Sequence, residues 1–277
     1  MLFQSFWYGR ELTPIERLTI TSFLEHEHEF VLYVYDDVAN VPKGCRVEEA
    51  EGILPREAVF LHEAGVHVES VGAFSDVFRY HLLRARGGWW VDTDVICLRR
   101  DIPETVYVFA EQEPGLINGA ILRVPPGSAL AAAACARTVG ADAETAFSTI
   151  GPRLLTDLVH ELGLEGHAWS SSALYPLGWR DALDTLDPDR RASVERRGKE
   201  SCFLHLWGEM LRLHNVLTTV RPPAGSFLDA MFELYAIPFP AAPRYEFAQL
   251  RPQIWLHEHH WAMKEELTRL YEQLSGR

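Results

Sequence analysis

The chain is poor in cysteine, has no excess of positive charge, and contains neither a long apolar run nor a basic segment leading into an apolar one. Its four cysteines, Cys45, Cys97, Cys135 and Cys202, stand singly with no Cys-x-x-Cys. That excludes a disulfide framework and a thiolate zinc knuckle and points to a reducing, cytoplasmic setting. The most apolar run, Ala129 to Ala136, is too short to span a bilayer, and Met1 to Arg10 lacks the layout of a leader. A soluble chain with no transmembrane segment is therefore expected. Lysine and arginine total 26 against 39 acidic residues, a formal net charge of -13. Such a surface repels polyphosphate backbones, so nucleic acid is excluded as a partner.

What is present is ordinary globular material. Of 277 residues 47% are hydrophobic and 23% charged, and a chain of this length buries roughly three quarters of the surface its unfolded form exposes. Folding needs neither disulfides nor metal, and one domain with a small appendage is expected. The opening run Leu2 to Tyr8 predicts a strand. Thr13-Pro14-Ile15-Glu16 then combines an N-cap, a first-turn proline and a capping-box glutamate, which predicts a helix. Phe30 to Tyr35 predicts the next strand, and strand, helix, strand at this spacing is a βαβ unit with a parallel sheet.

After an irregular stretch from Pro55 to Gly72, the residues Phe74, Val77, Phe78, His81, Leu82 and Ala85 line one helical face, with Ser75 placed to cap it. Gly87-Gly88 ends that helix. Trp89 to Val91 is a short strand that delivers Asp92-Thr93-Asp94 at its carboxyl end, where ligands bind in open α/β sheets. Further strands are predicted at Val106 to Glu111 and Leu116 to Val124, helices from about Ser128, from Gly151-Pro152 and near Asp189 to Arg197, and an extended run at Cys202 to Trp207. Arg221 to Tyr245 is rich in proline and reads as a connection, and a charged helix from about Glu258 to Leu274 closes the chain.

Asp92 and Asp94 are two positions apart, so on an extended backbone both carboxylates point to one side and can share a divalent cation. Oxygen donors suit Mg2+ or Mn2+, and a cation bridging a diphosphate would hold a nucleotide donor and stabilise the leaving group. The triplet alone is weak, and the chain carries a control with the same spacing. Asp187-Pro188-Asp189, followed by Arg190-Arg191, reads as a surface helix start where acids favour the N-terminal dipole.

The two triplets differ in context. The run Phe74-Ser75-Asp76-Val77-Phe78-Arg79-Tyr80 to Gly87-Gly88-Trp89-Trp90-Val91-Asp92-Thr93-Asp94 resembles DXD-containing sugar transferases, specifically the glycosyltransferase 32 group and related capsular polysaccharide enzymes. Trp7 and Gly9, Ser22-Phe23, Tyr33 and Tyr35, Asn118-Gly119 and His205-Leu206-Trp207 extend the resemblance over most of the first two hundred residues; beyond about Arg221 it stops. The resemblance implies a GT-A fold, Rossmann-like with a mostly parallel sheet flanked by helices, over residues 1–220. Residues 221–277 are left as a C-terminal helical extension that serves acceptor choice, oligomerisation or membrane contact.

It also implies a bacterial, Mn2+- or Mg2+-dependent α-glycosyltransferase that moves a hexose or N-acetylhexosamine from a nucleotide sugar, UDP-linked by preference, with retention. The acceptor would be a carbohydrate or glycolipid, reached at the inner face of the membrane. Carried over by position, Asp94 ligates the metal, Asp92 contacts ribose or sugar hydroxyls and the metal, Asp76 and Arg79 face the donor, and Asn118 and Gly119 lie beside the sugar.

Each residue also has a plainer role. Arg79 at i+3 from Asp76 forms an ordinary helix-surface pair, and Tyr80 and Trp90 read as packing. Trp7 either stacks on a nucleobase or fills the core. His205 is either a third metal ligand or a hydrogen-bonded core histidine. His257, His259 and His260 lack the i,i+4 pair of a zincin.

Two rival functions stand beside the transferase. One is a HAD-type phosphatase with Asp92 as nucleophile, although no downstream lysine and acidic pair completes its magnesium site. The other is a non-catalytic sugar-nucleotide-binding module.

Overall fold

Thr13 starts the first helix as its spacing predicts: its Oγ1 accepts the Ile15 N–H at 3.3 Å and Glu16 Oε2 accepts the Thr13 N–H at 2.7 Å, closing the capping box. That helix is one of the elements of a computed structural model that describes residues 1–62, 70–145, 147–239 and 243–275. The chain divides into two compact units, residues 1–176 with 198–205, and residues 177–197 with 206–277. The boundary expected near residue 220 falls inside the second.

The first unit holds β1 (Leu2–Trp7), α1 (Pro14–Glu25), β2 (Glu29–Val34), β3 (Arg46–Glu49), α2 (Gly72–Arg86), β4 (Gly88–Val91), β5 (Val95–Cys97), β6 (Val108–Glu113), β7 (Leu116–Val124), α3 (Ala129–Arg137), α4 (Phe147–Ile150), α5 (Pro152–Glu161) and α6 (Ser171–Leu174), and ends with β8 (Phe203–His205). Six strands form one sheet in the order β3-β2-β1-β4-β7-β6. All run parallel except β7, which lies antiparallel to both β4 and β6. This is the mostly parallel α/β sheet flanked by helices that the βαβ pattern predicted. A second, two-stranded sheet pairs β5 with β8.

Strand alternation sends β1 side chains to two different helical layers. Phe6 stacks on Phe78 of α2 at 4.5 Å, while Phe3 packs on Phe23 of α1, on Trp89 and on Phe203. The sheet is thus buried on both faces, which is why β1, β2 and β4 read as nearly continuous apolar runs.

Helix α2 begins earlier than the Ser75 cap implied. Ser70 Oγ accepts the Gly72 N–H at 3.1 Å, and the Ser75 N–H already bonds Val71 O at 2.8 Å. Phe74, buried against Phe6 and Tyr35, supplies the reason: its burial draws an additional turn into the helix. At the other end Gly87 has φ 63°, and a Cβ there would lie 2.5 Å from Pro126 N, so only glycine fits the turn into β4. Buried Gln4 fastens this turn by donating to the carbonyls of Gly87 and Trp89.

The second unit contains a 3-10 segment (Trp179–Leu186), α7 (Arg191–Gly198) at its border, α8 (Gly208–Leu213), α9 (Phe227–Leu234) and α10 (Phe247–Ser275). Helix α9 lies within the proline-rich stretch expected to be a connection. Ser226 caps it by accepting the Asp229 N–H, and the flanking prolines hid an eight-residue helix whose apolar face is buried. Asp229 is buried and accepts from Arg221 and Arg244, which ties the two ends of that stretch together. Helix α10 starts well before Glu258, with Pro252 inside it; the proline made the sequence read as broken there. His257 is anchored between Arg180 O at 2.8 Å and His214 at 2.9 Å. No helix among the described residues is long and apolar enough to cross a membrane.

Candidate active site

Asp92 leaves the sheet immediately after β4 and is held by its own backbone, its N–H donating to Ala120 O at 2.8 Å. Asp92 O then accepts the Val95 N–H at 3.2 Å. Asp92-Thr93-Asp94 is therefore a tight turn between β4 and β5 and not the extended segment the spacing implied. The carboxylates still converge, through the turn instead of the pleat.

The turn has a second consequence. Strand β5 pairs antiparallel with β8 in a register that sets Val95 opposite His205, so a residue more than a hundred positions away arrives beside Asp94. His205 Nε2 lies 3.1 Å from Asp94 Oδ1. One ligand atom each from Asp92, Asp94 and His205 falls within a mutual 4.8 Å. In an octahedral shell with bonds of about 2.1 Å, adjacent donors are about 3 Å apart, so the His205–Asp94 separation matches one edge. Two carboxylate oxygens and one imidazole nitrogen suit Mn2+, with Mg2+ served by the oxygens. The donor set fits the metal that the resemblance implies.

Behind Asp92 stands a buried charge relay. The single Nη2 of Arg79 is 2.9 Å from both Asp92 Oδ1 and Asp76 Oδ1, and the guanidinium lies over the Trp90 ring, 5.1 Å from its centroid. Trp90 Nε1 donates to the same Asp92 Oδ1 at 2.6 Å. Asp76 and Arg79 are 3% and 5% exposed. Both belong to α2 as predicted, but they are not a solvated helix-face pair. Burial pushes the Asp76 carboxyl up to about 7, against the pull of Arg79 and with the help of Asp92. Burial disfavours the Arg79 cation, but Asp92 and Asp76 more than offset this and raise its pKa.

Asn118 and Gly119 lie on β7, next to β4. Asn118 Oδ1 accepts the Ala120 N–H at 2.6 Å and its Nδ2 donates to Gln112 Oε1 at 2.6 Å. Since Ala120 O holds the Asp92 N–H, Asn118 steadies the strand segment that carries Asp92. A Cβ on Gly119 would sit 2.0 Å from Arg79 Nη1, so the bare glycine makes room for the guanidinium. Trp7 ends β1 half-buried, its Nε1 buried with no hydrogen-bond partner among the described residues. Gly9, at φ 153°, would bring a Cβ within 3.1 Å of that nitrogen. Glu16 is raised by burial, and Asp94 adds to the shift.

All the expected site residues, Trp7, Gly9, Asp76, Arg79, Asp92, Asp94, Asn118, Gly119 and His205, belong to the first unit. The other Asp-x-Asp lies in the second, where Asp187 Oδ1 accepts the Asp189 N–H at 2.9 Å and caps a short helical turn as expected, although Asp187 is buried and not on the surface. Among the described residues Asp92, Asp94 and His205 are the one group of three with metal-ligand geometry, and His257 is engaged with His214 and Arg180 O. Sequence reasoning missed the Trp90 donor. Its position two residues before Asp92, near the end of β4, was the available signal.

No family model matches the chain, and no curated protein sequence matches it. Among solved structures, the PaToxG glycosyltransferase superposes with a TM-score of 0.41 at 10% identity, over 78% of this chain and 83% of that one.

Proposed function

We propose that this protein is a GT-A-type, retaining glycosyltransferase that binds a nucleotide sugar, UDP-linked, and transfers its hexose or N-acetylhexosamine to a carbohydrate or glycolipid acceptor. One observation carries it: His205, more than a hundred positions away in sequence, joins Asp92 and Asp94 at the carboxyl end of a central strand in a mostly parallel sheet. Ligands of α/β sheets bind at such strand ends. Bound there, Mn2+ or Mg2+ would neutralise the donor diphosphate and stabilise the leaving group. The chain's own part is orientation. Arg79 and Trp90 fix Asp92, and β8 fixes His205 against Asp94. Asn118 and Gln112 brace β7, and Trp7 and Gly9 stand at the end of the neighbouring parallel strand, where a nucleobase would lie.

The phosphatase alternative asks Asp92 to be a free nucleophile. With Oδ1 engaged by two N–H donors, only Oδ2 could attack, and the two donors withdraw charge from the carboxylate and lower its nucleophilicity. A binding module without turnover would share the same pocket, so turnover itself is the test. A panel of nucleotide sugars with Mn2+, scored by released nucleoside diphosphate, should yield one preferred donor whose binding is lost in EDTA. Equal calorimetric affinity for that donor in Mn2+ and in EDTA removes the metal from the proposal. Binding without nucleotide release on any donor, in the presence of varied glycan acceptors, favours the binding module.

A further inference from the structure

Asp92 and Asp94 are alike in sequence, yet their surroundings are opposite. Asp94 faces the imidazole of His205. Asp92 Oδ1 instead receives two N–H donors from the protein interior, Trp90 Nε1 at 2.6 Å and Arg79 Nη2 at 2.9 Å. A carboxylate oxygen has two lone pairs, so two donors fill Oδ1 and leave Oδ2 as the oxygen that can reach outward. Trp90 is 1% exposed and touches both members of the relay. Its N–H holds Asp92, and its ring lies against the Arg79 guanidinium.

The strand makes this possible. Trp90 on β4 and Asp92, one residue past the end of that strand, both turn toward Arg79 of α2. Asp94, in the turn itself, faces His205 instead.

We propose that Trp90 is a positioning residue for the metal site: its indole N–H locks Asp92 as a one-oxygen ligand, leaving Asp94 and His205 to supply the other protein donors. This rests on the metal-dependent reading above. Groups that orient a metal ligand from behind change metal affinity by about 10- to 100-fold when removed, and a tryptophan that only fills the core does not.

The experiment titrates the full chain with Mn2+ alone, following the free ion by its EPR signal, in wild type, in Trp90→Phe and in a variant with 3-benzothienylalanine at position 90. The last keeps the two-ring shape and replaces the N–H with sulfur. Both variants should bind Mn2+ about tenfold more weakly than wild type, with the benzothienyl protein melting close to wild type. If Trp90→Phe fails to fold, the isostere carries the comparison. Mn2+ affinity of the isostere within twofold of wild type overturns the positioning role while leaving the metal site intact. Absence of Mn2+ binding in the wild-type protein overturns both.

Discussion

Gly119→Ala perturbs the relay without replacing a charged group. A Cβ at this position would lie 2.0 Å from Arg79 Nη1 and 3.2 Å from Cζ, so the guanidinium must retreat by about 1.5 Å to reach ordinary van der Waals separation. An arginine tip on a surface would swing away at little cost. This one is 5% exposed, held by Asp76 and Asp92 through Nη2 and covered by Trp90. A shift of that size stretches both 2.9 Å contacts beyond hydrogen-bonding range.

Overpacking a buried site costs about 1–3 kcal/mol, and a lost hydrogen bond to a charged group about 1.5–3 kcal/mol. Against this, alanine restricts the unfolded chain and returns about 0.4–1 kcal/mol. Gly119→Ala should therefore lower the urea-derived stability by about 2 kcal/mol or more, and loosen Mn2+ binding because Asp92 loses its anchor. In an Arg79→Ala background, itself destabilised, the clash is gone and the same substitution should be neutral or slightly stabilising. The coupling in that double-mutant cycle should reach about 2 kcal/mol. A Gly119→Ala effect of equal size in both backgrounds, or none in either, refutes the steric argument.

Other outcomes are as concrete. Asp94→Asn should lower turnover about a hundredfold or more, while Asp189→Asn, in the second unit, should leave it unchanged; activity and circular dichroism of the pair check this. His205→Gln should raise the Mn2+ concentration needed for half-maximal donor binding at near-native melting temperature. A lowered melting temperature with unchanged Mn2+ dependence would return His205 to the core. Thr13→Ala removes the side-chain half of the capping box and should cost about 1 kcal/mol in urea denaturation.

The Asp76 carboxyl, raised by burial to about 7 from 3.8, makes the native protein bind a proton that the unfolded chain has already lost. That contribution is therefore full below pH 4 and declines as pH rises toward and through 7. Asp76→Asn should remove this decline from a stability-against-pH curve, and an unchanged slope would show that Arg79 keeps Asp76 ionised.

Local chemistry was legible in the sequence wherever neighbours along the chain decide the structure. The capping box at Thr13, the Gly87-Gly88 turn, the βαβ order and the emergence of Asp92 at a strand end all follow from residues within a few positions of one another. The contrast between Asp92 and Asp187 was legible for the same reason. Where burial or flanking prolines compete with local signals the reading slipped: Phe74 drew α2 past its expected cap, and α9 and the start of α10 lay hidden among prolines. What only the tertiary structure decided is which side chains meet. The β5–β8 register brings His205 to Asp94, the packing of α2 under the sheet brings Arg79 to the oxygen of Asp92 that Trp90 also holds, and β7 leaves at Gly119 the space that the guanidinium fills. Those meetings depend on strand pairing and layer packing across distant segments, and no pattern of neighbouring residues encodes them.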